Sequence, residues 1–452
     1  MTRELMSYGG HVRAVALLGL PLVGGHLAQF AIGLTDTIMV GWYGVEALAA
    51  VTLAGSYFFV LFLTGAGFGW AVMPMVAAAN AAGDETSARR ATRMGLWLSV
   101  MYSVAVMPLL WWSGSILLAL GQGAEVAADA ARYLRIAGWG LFPALLVMVL
   151  KSYLAALERT QVVLWITVLA ALANALANYG LIFGHWGLPE MGIRGAALAS
   201  NLTHMVSLVA VVIYVTRALP EQELFRRLWR PDREMFARVF RLGVPIGITS
   251  LTEISLFSAS ALMMGWLGTT QLAAHGIALQ LATATFMVHL GLSNAATVRA
   301  GNAYGRRDKA HMARGAAVVT AMSLAASVLT ITLFLTQPDP LISLFLDPDD
   351  PERPQILVIG AGLLAAAALF QLVDGAQVIA LGLLRGVQDT GVPMLVAALA
   401  YWGVGIPASY ALGFPLGLGG VGIWLGLACG LAVAGVLLMW RFWRQGLARA
   451  EA

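Results

Sequence analysis

The chain is 452 residues long, 60% hydrophobic and 11% charged, with a mean hydropathy of +0.80. A soluble protein carries about 25% charged residues, so a soluble enzyme or soluble binding module is excluded and a polytopic membrane protein is implied. The single cysteine, Cys429, rules out an internal disulfide and reads as a small apolar filler. The net charge of +4 is modest, and its distribution carries more information than its size.

The first apolar run, from about Val12 to Val40, is too long for the core of a cleavable leader and reads as the first membrane helix. Eleven more follow: 46–79, 92–111, 130–157, 162–184, 191–216, 236–265, 271–298, 313–336, 356–384, 392–413 and 419–440. Each reaches or approaches the ~20 residues that cross a bilayer at 1.5 Å per residue, and the longer ones imply tilt or extension into water. Of the 27 lysines and arginines, 23 fall on one side of this arrangement and four on the other. Positive residues stay inside, so both termini are expected in the cytoplasm and the acidic segment Asp347–Glu352 outside. The cytoplasmic side includes Arg3, Lys151, Arg385 and the arginine-rich stretch Arg217–Arg241, which reads as a linker and not as a nucleic-acid surface.

Two halves repeat. Gly41-Trp42-Tyr43-Gly44 and Gly265-Trp266-Leu267-Gly268 are 224 residues apart, as are Leu18-Gly19-Leu20-Pro21 and Leu242-Gly243-Val244-Pro245, and Gln29 and Glu253. Asn80…Gly83…Ala88 matches Asn302…Gly305…Ala310, and Gly192-x-x-Gly195 matches Gly419-x-x-Gly422, with offsets between 222 and 230. Six helices per copy give both copies the same membrane orientation. The expected fold is all-α and integral to the membrane: 12 transmembrane helices in two parallel six-helix lobes enclosing a central cleft. The expected division is an N-lobe over 1–220, a basic cytoplasmic linker over 221–235 and a C-lobe over 236–452.

Three acids lie in apolar runs: Asp36, Glu253 and Asp374. A carboxylate in hydrocarbon costs roughly 2.5–3.5 kcal/mol on insertion scales, so such groups mark ion or substrate pathways. Asn174 and Asn178 are one helical turn apart, share a face, and can donate to Asp36. Asp36 then stands between burial and hydrogen-bond donation, poised to load and release a proton. Glu253 and Asp374 both belong to the second half, and two close carboxylates suggest a site for H⁺ or Na⁺. Gln29, the repeat mate of Glu253, is a neutral hydrogen-bonding candidate in the first lobe. Phe370, one turn before Asp374, and Gln371 and Gln280 are candidate cavity-lining residues, Phe370 through its ring face. His26, His204, His275 and His289 lack metal-ligand spacing and read as ordinary hydrogen-bonding residues. Pro21 and Pro245, at matching repeat positions, are expected to bend the first and seventh helices. No P-loop, GxSxG, HExxH or Rossmann fingerprint occurs, so no enzyme activity and no cofactor is expected.

Gln29…Gly33-Leu34-Thr35-Asp36-Thr37-Ile38-Met39-Val40-Gly41, Leu242-Gly243-Val244-Pro245 leading to Glu253, and Phe370-Gln371-Leu372-Val373-Asp374-Gly375-Ala376-Gln377 continuing to Leu384-Arg385-Gly386-Val387-Gln388-Asp389-Thr390 together resemble the MATE (multidrug and toxic compound extrusion) family, most closely its NorM-like branch. The resemblance covers nearly the whole chain. It implies an inner-membrane antiporter that exports cationic drugs or dyes in exchange for H⁺ or Na⁺. It also implies that Asp36 is the N-lobe cavity acid with Asn174 and Asn178 beside it, and that Glu253 and Asp374 form the C-lobe cation site. Some relatives carry tyrosine where this chain has Phe370. A lipid-linked oligosaccharide flippase of similar architecture is the alternative, but it calls for basic cavity residues that hold pyrophosphate. Small organic cations and membrane lipid are the expected partners, and a two-lobe chain needs no second copy, so a monomer is expected.

Overall fold

In the computed structural model, which describes residues 6–349 and 351–451, the chain is helical throughout; Arg3 and Asp350 lie outside the described residues. Twelve helices among them are long and apolar enough to cross a membrane: α1 (Tyr8–Tyr43), α2 (Val45–Ala81), α3 (Glu85–Trp111), α4 (Ala124–Ala156), α5 (Thr160–Phe183), α6 (Ile193–Ala218), α7 (Arg233–Leu267), α8 (Thr269–Gly305), α9 (Lys309–Thr336), α10 (Arg353–Gly386), α11 (Gly391–Gly413) and α12 (Gly419–Arg449). α1, α2, α7 and α8 each run 35–37 residues, well beyond the ~20 a bilayer requires. Pro21 and Pro245 lie inside continuous helices. α11 and α12 each contain a π-helical turn, at 399–405 and 442–446.

The repeat is written into the backbone. Asp84 caps α3 by accepting from the Ser87 amide at 2.9 Å, and Asp308 caps α9 by accepting from the His311 amide at 2.9 Å. The residues just before these caps, Gly83 and Arg307, both take left-handed φ (77° and 54°). Glu158 and Gln388, in the turns before α5 and α11, share φ near 60° (61° and 58°), as do Gly192, just before α6, and Gly419, at the first position of α12 (51° and 57°). In two of these three pairs at least one member is not glycine, so shared geometry and not shared composition preserves the turn.

The compact units do not divide at the linker expected over 221–235. One unit is 24–247; the other is 1–23 together with 248–452. The cuts fall inside α1 and α7, two residues after the repeated prolines. The reason is a pair of glycine crossings. In the first unit, α2 meets the start of α7 so closely that a Cβ added to Gly67 would lie 2.7 Å from the Gly247 amide nitrogen. In the second, α8 meets the start of α1 in the same way: a Cβ on Gly291 would lie 2.6 Å from the Val23 nitrogen. Gly67 and Gly291 are repeat mates. Each unit therefore contains the opening turns of the other half's first helix.

Each unit has its own core. Leu110, Leu134, Leu141 and Ile182 are fully buried in the first, and Phe334, Tyr401, Trp424 and Phe442 in the second. The connection from α6 to α7 is fastened to α3. Arg93 donates to the carbonyls of Leu224 and Glu223, both at 2.7 Å, and the Trp97 indole donates to the Leu228 carbonyl at 2.7 Å.

Candidate functional sites in the two lobes

Asp36 stands near the end of α1 between two threonines whose hydroxyls donate back to their own helix, Thr35 to the Ala31 carbonyl and Thr37 to the Gly33 carbonyl. Neither hydroxyl competes for the carboxylate. Asn174 and Asn178, both fully buried on α5, supply the donors: Asn174 Nδ2 reaches Asp36 Oδ1 at 2.9 Å and Asn178 Nδ2 reaches the same oxygen at 2.5 Å. Asn178 Nδ2 also donates to Asn174 Oδ1 at 3.3 Å, which fixes both amides in the donating orientation. Both bonds end on Oδ1, and no donor among the described residues reaches Oδ2. The carboxyl is half-buried, so Oδ2 is the face on which a proton or a cationic ligand can be taken up. Gln29 lies two turns before Asp36 on α1, exposed, with no hydrogen bond to it. The sequence reading missed Tyr133 on α4, which lies within electrostatic reach of Asp36 and shares a 3.4 Å contact with the Ser200 hydroxyl.

A second polar cluster lies in the same unit, around a lysine inside the fourth span that the charge count placed on the cytoplasmic side. Lys151 lies within α4, and its ammonium donates to Thr167 Oγ1 of α5 at 2.8 Å. His26 of α1 and His204 of α6 both feel its charge.

In the other unit, Asp374 of α10 is 3% exposed and its Oδ1 has no hydrogen-bond partner among the described residues. Glu253 of α7 is half-buried and lies within electrostatic reach of Asp374. Arg385, counted in the sequence as a cytoplasmic loop cation, belongs to the last turn of α10 and faces Glu253. Tyr401 sits in the π-helical turn of α11, fully buried, accepts from Gln377 Nε2 at 2.5 Å, and is reached by the charges of both acids. π-turns recur at functional positions because the extra residue re-aims a side chain. Phe370 lies in packed core: its ring meets Trp424 edge-on at 5.3 Å and Phe257 at 5.9 Å, and it is 2% exposed. The phenolic oxygen near the acids thus comes from α11 and not from the position one turn before Asp374. Gln371 is fully buried and donates to the Ala282 carbonyl at 2.9 Å, while Gln280 is exposed on α8. No group of three or more metal-ligating side chains occurs among the described residues. A cation held here would rest on the two carboxylates and neighbouring neutral oxygens. The orphaned Asp374 oxygen fits such an ion or a proton.

The match to known proteins follows the same division into halves. The MatE family model matches residues 21–180 and again 245–411. The chain belongs to the MATE family. It is NorM-like: 47% identical over 440 residues to a probable multidrug resistance protein NorM of Rhizobium meliloti (strain 1021), covering 97% of this chain and 94% of that one. A probable multidrug resistance protein NorM of Agrobacterium fabrum (strain C58 / ATCC 33970) is 45% identical, with 96% and 94% covered. The fold is that of the eukaryotic MATE transporter AtDTX14, with a TM-score of 0.88 over 98% of this chain and 99% of that one at 19% identity. It is equally that of a MOP superfamily transporter from Pyrococcus furiosus whose binding pocket of reverse polarity suggests a different function (TM-score 0.88, 19% identity, 98% and 97% covered). The protein is a multi-pass membrane transporter of the MATE multidrug family; the fold alone does not select the cargo, so the polarity of the site residues must.

Proposed function

We propose that this MATE transporter exports small organic cations in exchange for H⁺ or Na⁺, from an inner membrane in which both termini face the cytoplasm, working as a monomer. The observation that carries the reading is the Asp36 carboxylate, held through one oxygen by two locked amides and open at the other. A carboxylate that is uncompensated by any arginine or lysine attracts a cationic drug. Protonation or cation binding removes that attraction. Exchange follows when the two states differ in affinity on opposite sides of the membrane. Glu253 and Asp374 form the second loading point: two acids within mutual reach favour one shared proton or one bound cation over two bare charges. Tyr401 offers a neutral oxygen to that site, and Arg385 sets the charge that Glu253 experiences. Alternating access carries the loaded and unloaded forms between the two sides.

The lipid-linked flippase reading needs basic residues available to pyrophosphate. Lys151 and Arg385, the bases close to the acids and their neighbours, are engaged by Thr167 and by the field of Glu253, which supports cationic cargo instead. The test is efflux of a fluorescent cation from energised vesicles under a pure pH gradient and under a pure Na⁺ gradient. Asp36→Asn, Glu253→Gln and Asp374→Asn should each depress efflux while expression is unchanged. Undiminished efflux from all three would sink the acid-based scheme.

A further inference from the structure

Where the α6–α7 connection crosses the start of α3, the first unit holds a cavity of about 460 Å³ lined by Arg90, Arg93, Arg227, Arg230, Arg233 and Asp232. Its charges do not balance. Arg90 is committed to Asp232, with Nε to Oδ2 at 2.5 Å and Nη2 to Oδ1 at 3.1 Å, and to Glu234 at 3.1 Å. Arg93 is held by two backbone carbonyls, which fix its position, and the Glu223 carboxylate that reaches its charge is shared with Arg89 and Arg226. Arg227, Arg230 and Arg233 are exposed and form no ion pair among the described residues.

Five guanidinium groups around one cavity outnumber the carboxylates Asp232, Glu234 and Glu223 that reach them, and the excess positive charge is relieved when an anion joins them. Guanidinium forks match the oxygens of a phosphate in pairs. The volume lies in the range of small-ligand sites, roughly 300–1,000 Å³. The location narrows the choice further. The cavity lies at the ends of membrane helices, where α3 begins and α7 begins, on the face rich in positive charge. Trp229, in the same connection, is 76% exposed, and tryptophans exposed at helix ends sit at headgroup level. Clusters of arginine beside a membrane helix recognise anionic lipid.

We propose that this cavity is a binding site for a phosphate-bearing anion, supplied by the headgroup of an anionic phospholipid. The site is independent of which cation the protein carries. Because the strap that forms it joins α6 to α7, an occupied site ties that connection to the start of α3 more firmly than the carbonyl contacts alone.

The test titrates purified full-length protein, in a neutral detergent, with short-chain phosphatidylglycerol, short-chain phosphatidylcholine and inorganic pyrophosphate, read by native mass spectrometry. Phosphatidylglycerol should bind saturably and phosphatidylcholine should not. Each exposed arginine near the surface contributes about fivefold in affinity, so the triple variant Arg227→Gln, Arg230→Gln, Arg233→Gln should bind on the order of a hundredfold more weakly. The matching triple lysine variant, which keeps the charge and loses the forks, should bind more weakly than wild type and more tightly than the glutamine variant. Saturable binding of phosphatidylglycerol alone supports the site with the membrane as its source. Binding of pyrophosphate that competes with the lipid supports the same site with a soluble source. If neither anion binds the wild-type protein more tightly than the triple variant, the proposal is overturned. Should the triple variant misfold, Arg230→Gln alone keeps the comparison, at about fivefold.

Discussion

The crossing of α2 with the start of α7 makes a sharp prediction about stability. A Cβ placed on Gly67 would lie 2.7 Å from the Gly247 nitrogen and 3.0 Å from its Cα. Both are backbone atoms of a packed helix, so no side chain can swing away. Gly67→Ala must therefore push the helices apart, and overpacking of this kind costs about 1–3 kcal/mol. The same substitution returns up to about 1 kcal/mol of helix propensity. Gly55, twelve residues earlier on α2, separates the two contributions, because a Cβ there meets nothing within 4 Å. Gly55→Ala should be neutral or stabilising by about 1 kcal/mol, so the two variants should differ by about 1–3 kcal/mol. Thermal or denaturant unfolding of both purified variants in the same detergent measures the difference. The repeat mate gives a replicate: Gly291→Ala would bring its Cβ to 2.6 Å from the Val23 nitrogen and should behave like Gly67→Ala. Equal stability of Gly67→Ala and Gly55→Ala would refute the claim that these glycines are kept for close helix approach.

Two further outcomes are expected. Asp389, 5% exposed, accepts from Arg441 Nε at 2.7 Å and lies 3.5 Å from Arg449; Arg441→Gln should lower stability, and adding Arg449→Gln should bring the loss toward the ~3–5 kcal/mol of a stranded buried charge, read by the same unfolding assay. At Asp232, hydrogen bonds from Arg90 hold the carboxyl below the usual carboxylate range. A depressed folded-state value means the stabilisation is present above the unfolded value and is lost as pH falls through the folded one. The unfolding midpoints of wild type and Asp232→Asn should therefore differ at neutral pH and converge in strong acid, and a gap that persists there would exclude the ion pair as its cause.

Much of this molecule was legible in its residues because the membrane leaves few choices. Runs of some twenty apolar residues can only be helices, and the offset between Gly41-Trp42 and Gly265-Trp266 exposed the duplication. The pairing of Asp36 with Asn174 and Asn178 was also within reach, since an i, i+4 amide pair must present one face. Other features depend on three-dimensional register that hydropathy does not encode. Arg385 stands one residue past the expected span 356–384, yet it belongs to the last turn of α10, and the Thr167 partner of Lys151 is set by helix packing that the charge count does not carry. Tyr401 gave no signal, because its position depends on a π-turn that no simple periodicity announces. Phe370 looked available to a cation from its spacing to Asp374, but Trp424 and Phe257 already enclose it.

The exchange of helix openings between the two halves has a consequence for biosynthesis. The unit built around α2–α6 is incomplete until residue 247 has left the ribosome, because its α2 glycine crossing needs the first turns of α7. The opening turns of α1, made first, find their packing surface only when α8 has been synthesised. Neither half can reach its final packing as an autonomous six-helix protein.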